Sequence, residues 1–171
     1  MKINITEKSI NIITNVGNSY DFKFTAKIIP QKNDDGTIME TTFKSNSETN
    51  KYGSGSFCSF NIDFGIISEG VYIFCLGNEI QYIGESKKLN RQFNDGFGRI
   101  EDINTTTKGR STNCKLNHAV LVEAQNGKLF DIFVFETSNH KEIKKEILAD
   151  FFKTYHKKPK YNEKINTFRI M

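Results

Sequence analysis

Residues 70–84 constrain this chain more than any other stretch. They read Gly-Val-Tyr-Ile-Phe-Cys-Leu-Gly-Asn-Glu-Ile-Gln-Tyr-Ile-Gly. Two β-rich runs, Val71 to Leu76 and Ile80 to Ile83, flank Gly77 and Asn78. That central pair tolerates positive φ and suits a tight turn, so the stretch reads as a β-hairpin. Each run carries a tyrosine close to a glycine, Tyr72 and Tyr82. Taken singly, either tyrosine reads as an ordinary sheet aromatic.

Gly70-Val71-Tyr72, then nine residues, then Tyr82-Ile83-Gly84, resembles the signature of the GIY-YIG nucleases. Valine at the centre of the first triplet is a common variant in that family. It includes homing endonucleases, the incision subunit of nucleotide excision repair and some restriction endonucleases. The resemblance covers about residues 70–162. It implies phosphodiester hydrolysis in DNA, with Tyr72 or Tyr82 taking the proton from the attacking water. A phenol ionises near ~10, so that task requires its pKa to be lowered.

Charge divides the chain in the same place. Residues 1–69 carry a net charge of −1 and residues 70–171 a net charge of +5. The excess fits a surface that binds a polyanion, although solubility alone explains a charge of this size. The length of 171 residues suits one domain with an attached subdomain. The 15 Phe and 6 Tyr predict a core that leans on aromatics. No apolar run approaches ~20 residues, and Met1-Lys2-Ile3-Asn4-Ile5 lacks a signal-peptide core, so a cytoplasmic protein is expected. Cys58, Cys75 and Cys114 are too widely spaced for a disulfide framework or a zinc site, and Cys75 reads as a buried filler. The histidines, His118, His140 and His156, are equally scattered.

Residues 1–69 predict a β-rich extension. Tyr20 to Ile29 alternates early and reads as a strand ending at Pro30. Asn33-Asp34-Asp35-Gly36 signals a turn, and Thr37 to Phe43 reads as a second strand making a hairpin-like pair. Ser45 to Ser56 is a polar loop, and Phe57 to Phe64 contains a short strand. The extension serves either as an accessory layer beside the core or as a DNA reader, with Lys23, Lys27 and Lys44 on phosphates.

After the hairpin, Ser86 can cap a helix whose apolar residues are Leu89 and Phe93. Arg91 lies off that stripe. The family carries an arginine on this helix, contacting the scissile phosphate, a task that suits forked donors on a permanent charge. Arg91 stands one residue short of the expected spacing, which leaves Arg99 as its competitor. Gly96 and Gly98 end the helix, and residues 101–111 read as a basic, hydroxyl-rich loop. Some relatives place a histidine or tyrosine soon after the arginine; here the position holds Asp95. His118 is the nearest histidine, either in the active site or in a local hydrogen bond.

Cys114 to Gln125 predicts a helix, and Leu129 to Phe135 a strand that can be the third of the sheet begun by the hairpin. Asn139 with Glu142 matches a capping box for a last helix. That helix carries an apolar stripe of Ile143, Ile147, Leu148, Phe151, Phe152 and Tyr155. Glu146 lies close to the stripe. The resemblance implies that a glutamate on this helix holds one divalent metal, Mg²⁺ with Mn²⁺ as an alternative, and assigns it to Glu146. Asp150, one turn on, is the runner-up, and a surface ion pair with Lys87 or Lys153 is the plain alternative. Lys157-Lys158-Pro159-Lys160-Tyr161-Asn162 resembles the family's closing segment, so Asn162 is a further candidate for binding DNA or supporting the metal site.

The expected fold is α/β (α+β): a GIY-YIG-like sandwich with a small, mostly antiparallel sheet flanked by helices. The β-rich extension covers 1–69 and the nuclease core 70–171. The expected function is that of a metal-dependent endonuclease on double-stranded DNA, most like a stand-alone restriction endonuclease, acting as a homodimer if both strands are cut. A repair nuclease and a non-catalytic nucleic-acid-binding module are the alternatives.

Overall fold

The computed structural model describes residues 1–44 and 48–162. Its framework is one antiparallel sheet of six strands with helices on both faces. The strands are β1 (Lys2–Ile5), β2 (Ser9–Ile13), β3 (Ser19–Lys27), β6 (Gly70–Leu76), β7 (Glu79–Ser86) and β8 (Asp131–Glu136), in the order β1-β2-β3-β8-β6-β7. Two short strands, β4 (Glu40–Thr41) and β5 (Phe57–Cys58), pair separately.

The hairpin forms as its sequence predicts. β6 and β7 are antiparallel, Leu76 pairs with Glu79, and Gly77 takes a φ of +59° at the turn. A register shift after Phe74 sets Phe74 opposite Tyr82 and Cys75 opposite Ile80. Alternation then divides the side chains. Tyr72, Phe74 and Tyr82 face one aromatic core with Leu89, Phe93, Phe97 and Leu116. Val71, Ile73, Cys75 and Ile83 face a second core with Ile143 and Ile147. The third strand, β8, joins on the far side of β6, with Tyr72 opposite Val134.

Residues 1–69 do not form a separate layer. β3 pairs with β8, so β1–β3 lengthen the same sheet. The partner of β3 is therefore not 37–43, where only Glu40–Thr41 is strand. It is β2, with Ile12 opposite Tyr20. Ile3, Ile5, Ile10 and Ile12 alternate with polar residues and make β1 and β2 a hairpin in their own right. Lys27 is not free for phosphate, because it pairs with Asp131. Of the loop expected over 45–56, residues 45–47 lie outside the described residues, as do 163–171 of the expected core.

Among the described residues, four α-helical segments follow, with a 3₁₀ turn at Lys160–Asn162 after the last. α1 (Leu89–Arg91) runs directly into a π-helical turn, Gln92–Phe97. Its N-cap is Lys88, not Ser86, which still belongs to β7. α2 (Asp102–Thr105) occupies part of the expected loop; Glu101 and Asn104 form a reciprocal capping box there. α3 (Ser111–Gln125) packs on the aromatic core through Leu116, Ala119, Val120 and Leu121. α4 (His140–Tyr155) packs on the opposite face through Ile143 and Ile147. Asn139 precedes it, but no side-chain capping bond forms. Phe152 and Tyr155 stay exposed, so the buried stripe of α4 is narrower than its sequence suggests. The two edge strands of the sheet meet across this helix. Ile3 and Ile5 of β1 line one hollow with Ile80 of β7 and with Phe151 and Tyr155 of α4. The sheet therefore curls around α4.

Candidate active site

The two phenols lie side by side. The rings of Tyr72 and Tyr82 have centroids 6.2 Å apart, and Phe93 packs edge-on against Tyr72 at 4.9 Å. The glycine of the second triplet makes room for this. A Cβ at Gly84 would lie 2.3 Å from Cζ of Tyr72 and 2.4 Å from its hydroxyl, an impossible contact. The first triplet's glycine has a similar reason. A Cβ at Gly70 would fall 2.3 Å from the carbonyl oxygen of Phe135 on the neighbouring strand. Both glycines thus serve close packing around Tyr72 and β8.

Burial decides the protonation of the phenols. It pushes Tyr72 well above its ordinary range, and the charges of Tyr82 and Glu85 add to the shift. Burial also raises Tyr82 to about 12, with Glu85 adding and Tyr72 subtracting. The lowering that a phenol base requires is absent, and both groups are protonated at neutral pH.

Tyr72 and Tyr82 line the floor of a cleft of about 340 Å³ that Glu85, Gln92, Arg110 and Asn113 also line. A second cleft, of about 490 Å³, is lined by Lys88, Arg91, Arg99 and Arg110. Gln92, Arg110 and Asn113 belong to both, so the two clefts adjoin. The π turn lies between the arginines. Arg91 precedes it and Arg99 follows Gly98, whose amide bonds back to the carbonyl of Phe93. Arg91 and Arg99 are both exposed and border the same cleft. Arg110, in the loop just before α3, joins them. An ion pair of 3.8 Å between Arg99 and Glu101 is exposed on both sides and weak.

Glu146 does not join the phenols. Its Oε1 accepts from Asn18 Nδ2 at 2.9 Å and its Oε2 from the Tyr20 hydroxyl at 2.9 Å. α4 lies on the Val71–Ile73–Ile83 face of the sheet, and the phenols point from the other. Asp150 is no nearer: it is 5% exposed and accepts from the amide of Asn15. The assignment of Glu146 as catalytic residue and metal ligand, with Asp150 behind it, is therefore corrected. Residue spacing alone could not reveal that the glutamate belongs to β3. The surface pairing with Lys87 or Lys153 does not form either. Among the described residues, no three His, Cys, Asp or Glu side chains gather closely enough to hold a metal ion. Glu146, the single carboxylate that the resemblance implies for Mg²⁺ or Mn²⁺, is turned to Tyr20 of β3 on the sheet face away from the phenols.

The remaining candidates have local partners. His118 Nδ1 lies 2.8 Å from the carbonyl oxygen of Ser56, the kind of local hydrogen bond expected if it is structural. Asn162 fastens the edge strand. Its Oδ1 accepts from the amide of Ile83 and its Nδ2 donates to the Ile83 carbonyl, each at 2.8 Å. It thereby anchors the backbone of the second triplet.

The sequence reading missed Glu85 and His140. Glu85 follows Gly84 directly, and its Oε2 lies 2.7 Å from Nδ1 of His140, which is 1% exposed. The signal was a charged residue abutting the second triplet. Its histidine partner lies 55 residues downstream and leaves no trace at the level of spacing.

Comparison with protein-family models, with curated proteins and with solved structures finds no match. Among the described residues, no helix is long and apolar enough to cross a membrane.

Proposed function

We propose that this chain is an endonuclease that hydrolyses phosphodiester bonds in double-stranded DNA on a GIY-YIG-like core. One observation carries the reading. Two buried phenols and three arginines, distant in sequence, border two adjoining clefts at one end of the central hairpin. Arginine clusters suit phosphate because each guanidinium offers forked, permanently charged donors. In this reading Arg91 and Arg99 bind the scissile phosphate and stabilise the charge that grows on it. Tyr82, as a protonated phenol, donates to a phosphoryl oxygen, and the more deeply buried Tyr72 holds it in place. Site-specific cutting of both strands would bring two copies together as a homodimer.

The test is cleavage of supercoiled plasmid by the purified chain, with and without added Mg²⁺ or Mn²⁺. Discrete fragments support the restriction reading, and cutting confined to branched or damaged substrates supports a repair role. Loss of cutting in Arg91→Ala assigns the activity to this site.

A second reading has its own support. Glu146 is committed across the sheet and the phenols are held protonated, which favours a nucleic-acid-binding module without hydrolysis. Binding of DNA with no cutting of any substrate form selects it.

A further inference from the structure

Two side-chain amides, Gln92 and Asn113, stand where the phenol cleft meets the arginine cleft. Both flank Gly96: a Cβ there would lie 3.2 Å from Nε2 of Gln92 and 3.4 Å from Nδ2 of Asn113. Asn113 is 3% exposed, yet its side chain makes no hydrogen bond among the described residues, and its amide opens onto the cleft. A buried polar group without a partner costs stability and calls for an explanation. The first turn of α3, Ser111 to Asn113, forms the adjoining wall. Asn113 makes the first backbone bond of that helix, to the Arg110 carbonyl at 2.9 Å, so the amides of Ser111 and Thr112 have no intrahelical acceptor. Arg110 at the N-cap supplies no side-chain cap, and the first turn holds no acid. The start of this 15-residue helix carries partial positive charge, and Arg110 and the phenols add further donors around it. Glu85 is the one acid lining the cleft, and its two oxygens are directed at His140 and Lys144 of α4, at 2.7 and 4.0 Å.

We propose that the phenol cleft is a second phosphate subsite, where the first turn of α3, Asn113 and Arg110 bind the backbone phosphate next to the one held by Arg91 and Arg99. The inference rests on the nucleic-acid binding common to both readings above and requires no hydrolysis. A phosphodiester accepts hydrogen bonds and donates none, which matches a wall of amides, hydroxyls and a guanidinium. Helix amides suit it because their direction is fixed and their partial charge faces the ligand. Gln92 reaches the same junction as Asn113, so one strand of DNA passes from the arginine cleft to the phenol cleft along a continuous line of donors. Holding two successive phosphates fixes the register of that strand, where one contact leaves it free to pivot. The subsite also accounts for a buried asparagine without a partner: its amide is satisfied when phosphate is bound.

The test measures binding of a duplex oligonucleotide to the full chain by fluorescence anisotropy across a salt series, with thermal stability in parallel. Asn113→Leu is expected to weaken binding about ten-fold, through loss of one charge-assisted hydrogen bond, and to leave the salt slope unchanged. Its stability should hold or rise, because the variant removes a buried donor that has no partner in the free protein. A structural asparagine would do the reverse, lowering stability with affinity unchanged, and that result overturns the proposal. Arg110→Ala is expected to reduce the slope of log affinity against log salt by about 0.9, and an unchanged slope removes Arg110 from the subsite. If Asn113→Leu does not fold, Thr112→Asp carries the test. Thr112 is exposed, and an acid in the first turn favours the helix, so the fold is kept while the new charge occupies the subsite. Binding should then weaken by about ten-fold or more. Wild-type affinity in Thr112→Asp overturns the proposal and leaves the nucleic-acid reading standing. A wild-type chain that binds no duplex overturns both.

Discussion

The hydroxyl of Tyr20 donates to Oε2 of Glu146 at 2.9 Å, tying the last helix to the third strand on the sheet face turned away from Tyr72 and Tyr82. This bond gives Glu146 a structural role. Burial opposes its ionisation, but hydrogen bonds from Asn18, Thr14 and Tyr20 outweigh that and hold the carboxyl below its ordinary range. A depressed folded-state pKa adds stability above the unfolded value of about 4.3, and that stability is lost as pH falls through the folded value. Glu146→Gln is therefore expected to flatten the loss of stability on acidification below about pH 4.3, as followed by urea unfolding at several pH values. Glu146→Ala should cost about 1–3 kcal/mol and leave DNA affinity unchanged.

The buried phenols should be silent in an ordinary tyrosine titration. With Tyr82 raised to about 12 and Tyr72 pushed well above its ordinary range by burial, neither ionises near pH 10. Tyr72→Phe and Tyr82→Phe are each expected to leave the ultraviolet absorbance change between about pH 9 and 11 intact. A variant that loses amplitude there would show its phenol to be lowered, and would restore it as a candidate base.

Gly84 is expected to resist any side chain. The ring of Tyr72 is 2% exposed and braced by Phe93, so it cannot move aside for a Cβ at 2.3 Å. Gly84→Ala should destabilise the protein by about 1–3 kcal/mol through overpacking, read as a lower urea midpoint with an unchanged slope. The pair Gly84→Ala with Tyr72→Ala should recover part of that loss.

The arginines should act through phosphate. Arg91→Ala and Arg99→Ala are each expected to weaken binding to all duplex sequences alike. Each should reduce the slope of log affinity against log salt by about 0.9 for every phosphate contact removed. Fluorescence anisotropy across a salt series measures both effects.

Asn162→Ala removes both bonds to the Ile83 backbone and should cost about 1–3 kcal/mol. Faster hydrogen exchange at the Ile83 amide, with the exchange of Ile73 on the inner strand unchanged, would locate the loss at the edge of the sheet.

Local patterning made much of this fold legible. The hairpin over 70–84, the strand near 131, and the helices over 111–125 and 140–155 all announce themselves through period and turn chemistry. β1 and β2 left a weaker signal: Ile3, Ile5, Ile10 and Ile12 alternate, but each run is short, and the turn glycine, Gly17 at a φ of +89°, comes only after β2. The π turn was not legible. Leu89 and Phe93 keep the i to i+4 spacing of an α-helix, and the π turn becomes visible only where it ends, at Gly98 packed against the carbonyl of Phe60. Three asparagines show the same limit. Asn94, Asn117 and Asn162 each bond both the amide and the carbonyl of one distant residue, Ile62, Cys58 and Ile83 respectively, in place of a neighbouring strand. Nothing in an asparagine's local context distinguishes that role from a loop or a cap.

The residues by themselves determined the paired strands, the proximity of Tyr72 to Tyr82 and the basic helix beyond them, because each follows from side-chain alternation and a turn between near neighbours. Only the tertiary structure decided where the acid of the last helix is held. A helix presents carboxylates all around its axis, and the face that turns inward depends on the sheet it packs upon. Here β1–β3 extend that sheet beneath α4 and capture Glu146 on the face turned away from the phenols.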